Sequence, residues 1–153
     1  MREIKNFLEI SDRLACAGQP DESQLSMIAD HGFEVVINLG LSSGKYALPD
    51  EAASFAALGL EYYHIPVQFE SPQLADWKSF METMKQHRGK ATFVHCAANY
   101  RATAFTGLYL FATSELDQEG MYLFVSQFWQ PNPVWQQFIE EVKQYISGPP
   151  EGS

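Results

Sequence analysis

Short β-branched and apolar runs alternate with helically patterned stretches along this chain, and that alternation restricts the fold more than any other feature. The runs are Phe7–Ile10, Leu14–Ala17, Phe33–Leu39, Tyr62–Val67 and Ala91–His95. Each is strand length, and Phe33–Leu39 is apolar and bounded by Gly32 and Gly40, as expected of a strand buried on both faces. Strands separated by helices imply an α/β fold with a central, mostly parallel sheet flanked by helices. Hydrophobic residues make up 46% of 153 residues, enough for one core without metal or disulfide support.

The helix boundaries follow from local signals. Asp21, with Gln24 three residues on, caps a helix through Leu25, Ile28 and Ala29 to Gly32. A second helix covers about 49–58. Ser71 and Pro72 predict an N-cap and first turn, followed by Leu74, Trp77, Phe80, Met81 and Met84 at the 3.6-residue period. Further helices are expected over 101–113, 118–128 and 134–146, the last two separated by Gln130-Pro131-Asn132-Pro133. Residues 1–146 then form a single domain. Residues 147–153, Ser-Gly-Pro-Pro-Glu-Gly-Ser, read as a disordered tail.

Ten basic and nineteen acidic side chains leave a net charge of −9, which argues against nucleic acid and anionic membranes as partners. Any anion must be captured locally. Residues 1–7 carry charges where a signal peptide would hold its apolar stretch, so a cytoplasmic location is expected. Cys16 and Cys96 lie far apart in sequence without secretory signals, which speaks against a structural bridge. The four histidines lack metal-ligand spacing, and no cofactor is implied.

Val94-His95-Cys96-Ala97-Ala98-Asn99-Tyr100-Arg101 falls at the carboxyl end of one strand and the start of one helix, where ligands bind in such sheets. A helix amino terminus offers unpaired N–H groups and a partial positive charge, which favour a thiolate and a bound oxyanion alike. Arg101 can add a forked pair of charge-assisted hydrogen bonds. The competing reading is a small buried hydrophobe, the usual state of a free cysteine. His95 before Cys96 and Arg101 closing the loop favour the chemical one. Ala97, Ala98, Asn99, Tyr100 and Arg101 are then the candidate phosphate-binding residues.

These residues resemble the His-Cys-x5-Arg loop of the cysteine-dependent protein phosphatases, with four intervening residues instead of five. Gly18-Gln19-Pro20, Val36-Ile37-Asn38-Leu39, Ile65-Pro66-Val67 and His95-Cys96 occur in the order seen in the bacterial phosphatase-like domains of the beta-lactamase-hydrolase-like family, a resemblance covering roughly residues 7–113. It implies a dual-specificity-phosphatase-like fold, Cys96 as nucleophile, Arg101 as phosphate ligand and phosphorylated small molecules or phosphoproteins as substrates. It also implies a phosphocysteine intermediate and no metal. Asn99 replaces the glycine of the related loops, and asparagine tolerates a left-handed backbone. Ala102 replaces the hydroxyl residue that usually follows the arginine; Thr103 is one position late.

Glu70 is the first candidate for the general acid and Asp76 the second, each also readable as a solvated carboxylate near a helix start. His95 is a candidate for holding the loop, Cys16 for core or for resolving an oxidised Cys96, Lys45 for attracting the substrate anion, and Tyr100 for shaping the pocket wall. Trp77, Trp129 and Trp135 read as core or as part of a carboxyl-terminal helical layer. Two other functions stay open. The six-residue loop resembles that of rhodanese-type sulfurtransferases, which carry a persulfide, and the missing hydroxyl after Arg101 fits a non-catalytic phosphate-binding pseudophosphatase.

Overall fold

The computed structural model describes residues 1–148. In chain order the elements are β1 (Leu8–Ser11), β2 (Leu14–Ala17), a 3₁₀ turn at Glu22–Gln24, α1 (Leu25–Asp30), β3 (Val35–Asn38), α2 (Glu51–Ala57), β4 (Glu61–His64), α3 (Leu74–Gln86), β5 (Thr92–His95), α4 (Tyr100–Ala112), α5 (Gln118–Val125) and α6 (Pro133–Ser147). The strands form one sheet in the order β1-β2-β5-β3-β4, in which only the β1–β2 pair is antiparallel. The expected α/β architecture is therefore present.

Side-chain alternation along the strands divides the interior into two cores. On one face Cys16, Val35, Ile37 and Val94 pack with Phe80, Phe105, Trp135 and Phe138 of α3, α4 and α6. On the other, Ala15, Ala17, Val36 and Phe93 pack with Leu25, Ile28 and Phe55 of α1 and α2. Burial on both faces explains why β2, β3 and β5 read as continuous apolar runs. Gly107 in α4 lets α5 approach closely: a Cβ there would lie 2.9 Å from Val125 Cγ2.

Several boundaries differ from the sequence expectation for identifiable reasons. The β3 run expected over 33–39 narrows to Val35–Asn38. β4 ends at His64 instead of Val67: Ile65 N–H still donates to Asn38 O in register, but Val67 N–H donates to Leu39 O, one residue short of the regular parallel ladder. α3 starts two residues after Pro72. Gln73, with φ −116° and ψ 140°, is its N-cap, and its carbonyl accepts from the N–H groups of Asp76 and Trp77. The helix expected from Asp21 splits into a 3₁₀ turn and α1, although Gln24 Oε1 does accept from Asp21 N–H at 3.0 Å.

α5 stops at Val125, short of Phe128, because the amide and side-chain nitrogens of Gln127 both turn back to the Phe124 carbonyl. α6 extends through Ser147 and closes on Gly148 at φ 78°. Ser147 is thus helical, and the remainder of the expected tail, 149–153, lies outside the described residues. Among the described residues no helix is long and apolar enough to cross a membrane.

Phe105 is fully buried and lies 5.6 Å from Phe80 and 5.7 Å from Phe138, centroid to centroid. Phe105→Ala is expected to cost about 3–5 kcal/mol through lost burial and the cavity left behind. A urea denaturation midpoint close to wild type would show that this cluster does not hold α3, α4 and α6 together.

Candidate active site

Three parallel strands converge on the site. His95 ends β5 and is paired with Ala17 of β2 and Asn38 of β3, so Cys96 leaves the sheet at its carboxyl edge. The chain then turns through Ala97 and Ala98 to Asn99, which precedes α4 with φ 70° and ψ 16°. The left-handed conformation expected of Asn99 is present.

The loop is held from outside by its carbonyl groups. Ala97 O accepts from Gln19 N–H at 3.0 Å, Ala98 O accepts from Asn6 Nδ2 at 2.9 Å, and Cys96 O lies 3.3 Å from His95 Nδ1. In a trans peptide the C=O and the following N–H point in opposite directions. Outward carbonyls at Cys96 and Ala97 therefore turn the N–H groups of Ala97 and Ala98 toward the concave side. Asn99 Nδ2 returns a bond to Asn6 O at 2.8 Å, making the Asn6 contact reciprocal.

Gly18 makes this grip possible. Its N–H donates to Lys5 O at 2.7 Å, and a Cβ there would come within 2.7 Å of Ala97 O. Gly40 performs a similar service on the β3 side, where a Cβ would meet Asn38 Oδ1 at 3.1 Å and Cys96 Cα at 3.7 Å.

Cys96 is 1% exposed, and Ala102 N–H donates to its Sγ at 3.4 Å. The residue that lacks a hydroxyl thus serves the sulfur through its backbone. Thr103 does not substitute for the missing hydroxyl, because its Oγ1 donates to the carbonyls of Asn99 and Tyr100. Arg101 is 8% exposed, with Nη1 anchored on Val67 O at 2.8 Å. Arg101, Ala97, Gln19, Gly40, Phe69 and Glu70 border one cleft of about 160 Å³.

Of the two candidate acids, Glu70 is exposed and borders the cleft, whereas Asp76 sits in the first turn of α3 outside it. Burial pushes the Asp76 carboxyl above its ordinary value, against a hydrogen bond at Gln73. Tyr100 stacks on Trp129 at 5.0 Å with nearly parallel rings, and Trp129 packs on Phe69 at 5.7 Å. Tyr100 therefore supports the cleft wall from behind. Lys45 and Lys5 both lie over the Tyr46 ring at the cleft rim, at 5.4 and 5.5 Å. Both cysteines are free thiols. Burial, opposed by a hydrogen bond with Asn99 and reinforced by Cys96, pushes the Cys16 thiol up to about 12, which suits core packing.

Sequence reasoning missed Glu51. It is 6% exposed, with Oε2 2.6 Å from His95 Nε2 and Oε1 accepting from Gln19 Nε2 at 2.7 Å. An acid in the first turn of α2 looks like ordinary helix-end placement; only the packing of α2 on the sheet, against β4 and through Phe55, carries it inside. Burial works against ionisation of Glu51, but the His95 hydrogen bond and charge, with Gln19 and Tyr62, outweigh it and hold the carboxyl below 4.5. Among the described residues no group of three His, Cys, Asp or Glu side chains is placed to hold a metal ion.

No family model matches the sequence. The beta-lactamase hydrolase-like protein of Xylella fastidiosa is 32% identical over 113 residues, 72% of this chain. The chain spans about a quarter of the length of that curated relative. The crystal structure of a DUF442 phosphatase-like protein from Shewanella putrefaciens CN-32 has a TM-score of 0.86 and 35% identity, covering 93% of each chain. Tk-PTP in its active form shares the fold at a TM-score of 0.77 and 19% identity, over 90% of this chain and 95% of its own. This chain belongs to the DUF442 phosphatase-like family, and it has the dual-specificity-phosphatase-like fold of more distant structures.

Asn99→Ala is expected to destabilise the protein by about 1–2 kcal/mol from the left-handed backbone alone, and Asn99→Gly to recover that part. Equal urea midpoints for the two variants would contradict this. A carboxyl depressed in the folded state stabilises above its unfolded value and loses that contribution as pH falls through the folded one. For Glu51 that window lies below 4.5, so Glu51→Gln should flatten the acid limb of the stability profile there. An unchanged limb would show that Glu51 does not carry it.

Proposed function

We propose that this protein is a cysteine-dependent phosphatase that hydrolyses phosphate monoesters through a phosphocysteine, with small phosphorylated molecules or phosphoproteins as substrates. The observation that carries the reading is one small cleft bordered by Ala97, the nearly buried Arg101 and the Glu70 carboxyl, in the loop that opens with Cys96, whose Sγ accepts a helix N–H. Phosphate occupies the concave side of the loop, against the N–H groups of Ala97 and Ala98, the start of α4 and the Arg101 guanidinium. The Cys96 thiolate attacks phosphorus as Glu70 gives its proton to the leaving oxygen. The phosphocysteine is then hydrolysed by water, which Glu70 activates as base. Loop amides and Arg101 stabilise the charge on the transferring group.

The cleft of about 160 Å³ suits the phosphoryl group and the first atoms of the leaving group. An adjoining cavity of about 290 Å³, which shares Gln19, Tyr46 and Ala97 with it, receives the remainder. Lys5 and Lys45 at this rim provide local positive charge on a chain with net charge −9.

Cys96→Ser is expected to abolish turnover of p-nitrophenyl phosphate. Arg101→Ala should lower kcat by about 10²–10³ and weaken orthovanadate binding, as loss of a transition-state charge donor does. Glu70→Gln should lower kcat by about 10²–10⁴. Absence of hydrolysis by wild-type protein from pH 5 to 8 would overturn the reading. The six-residue loop supports one alternative, a persulfide carrier, for which Cys96 would gain one sulfur in intact mass after incubation with thiosulfate. The hydroxyl-free position 102 supports the other, a pseudophosphatase, for which orthovanadate would bind without any turnover.

A further inference from the structure

The buried pair of Glu51 and His95 takes no part in the chemistry above, yet it stands directly beneath the loop. Its Oε2 and Nε2 are 2.6 Å apart, and neither residue is more than 6% exposed. Stability alone is a poor reason for such a pair, because desolvating two charges offsets much of their attraction. The other ring nitrogen, Nδ1, lies 3.3 Å from the Cys96 carbonyl oxygen. Both nitrogens of His95 therefore face oxygen atoms, a carboxylate and a carbonyl, which a ring bearing an N–H on each nitrogen would satisfy together. A carboxylate partner makes the second N–H tenable in this buried position.

We propose that Glu51 is a positioning residue for the anion-binding loop, acting through His95 to hold the Cys96 carbonyl outward and so aim the Ala97 N–H at the bound anion. Gln19 extends the same control by one peptide. Its side chain donates to Glu51 Oε1 at 2.7 Å, while its backbone N–H holds Ala97 O at 3.0 Å, which turns the Ala98 N–H inward. One connected set of hydrogen bonds thus orients two successive peptides of a loop that has one residue fewer than the Cys-x5-Arg form and no hydroxyl at position 102. With fewer donors available, the direction of each remaining N–H matters more. Burial, chiefly, raises the neighbouring Tyr62 phenol, so it stays neutral and adds no competing charge.

The proposal rests on the phosphatase reading for the identity of the anion. Its test has one readout that is independent of turnover. In the whole chain at pH 7, ¹H–¹⁵N correlation of the histidine rings, assigned by loss of the signal in His95→Asn, is expected to show N–H on both nitrogens of His95. Glu51→Gln should remove that signature. It should also lower kcat for p-nitrophenyl phosphate by about tenfold or more and orthovanadate affinity in parallel, with a smaller change in KM, because a transition-state analogue tracks preorganised donors. A bare ring nitrogen on His95 in the wild-type protein overturns the proposal, and that result needs no variant to fold. Unchanged kcat and orthovanadate affinity in a folded Glu51→Gln protein also overturn it. If wild-type protein binds orthovanadate but turns over no aryl phosphate, the phosphatase reading fails, while the ring spectrum and orthovanadate titration still decide the role of Glu51.

Discussion

The outward tethering of three carbonyl groups, at Cys96, Ala97 and Ala98, is the constraint on which the rest of the site depends. A turn of this kind has no regular backbone ladder to impose its shape, and each peptide can in principle rotate. Here the partners come from three separate places: His95 at the end of β5, Gln19 after β2, and Asn6 before β1. Because planar peptides couple the two directions, fixing oxygen atoms on one side fixes nitrogen atoms on the other. The concave surface is built from behind.

This arrangement accounts for features of the fold that would otherwise look incidental. Gly18 has no room for a side chain because its neighbour Gln19 must pair with the loop, and at Gly40 a side chain would crowd Asn38 Oδ1, which accepts from the Gly40 N–H. The parallel pairing of β5 between β2 and β3 brings Ala17, Asn38 and His95 to one level, so that the segments leaving each strand meet. The layer containing Phe69, Trp129 and Trp135 then backs the opposite wall, with Trp135 Nε1 donating to Phe69 O at 2.8 Å. Arg101 is similarly fastened to Val67 O, which fixes its guanidinium at the cleft.

Much of the frame was legible in the chain. Apolar runs of strand length revealed the sheet, because residues buried on both faces leave no polar alternation. The loop from Cys96 to Arg101 was legible because its residue types, between a strand and a helix, have a shared chemical use. Asn99 announced its left-handed backbone through its own conformational tolerance. Strand and helix ends were read less well. β4 ended early because its register against β3 slips between Ile65 and Val67, and Gln73, not Ser71, became the cap of α3 because its backbone is the extended residue from which the helix starts. Glu51 was invisible, since nothing local distinguishes an acid beside solvent from one folded under a loop.

The sequence by itself determined the α/β class, the placement of Cys96 at a strand-to-helix junction and the chain conformation at Asn99. These properties depend on residues within a few positions of one another. Only the tertiary structure decided which distant groups serve that junction: Glu70 in the cleft and Asp76 outside it, Tyr100 turned onto Trp129, Thr103 turned onto its own helix, and Glu51 buried against His95. The physical reason is that hydrogen bonds and burial act over a few ångströms of space, and the distances between those groups are set by how the strands and helices pack.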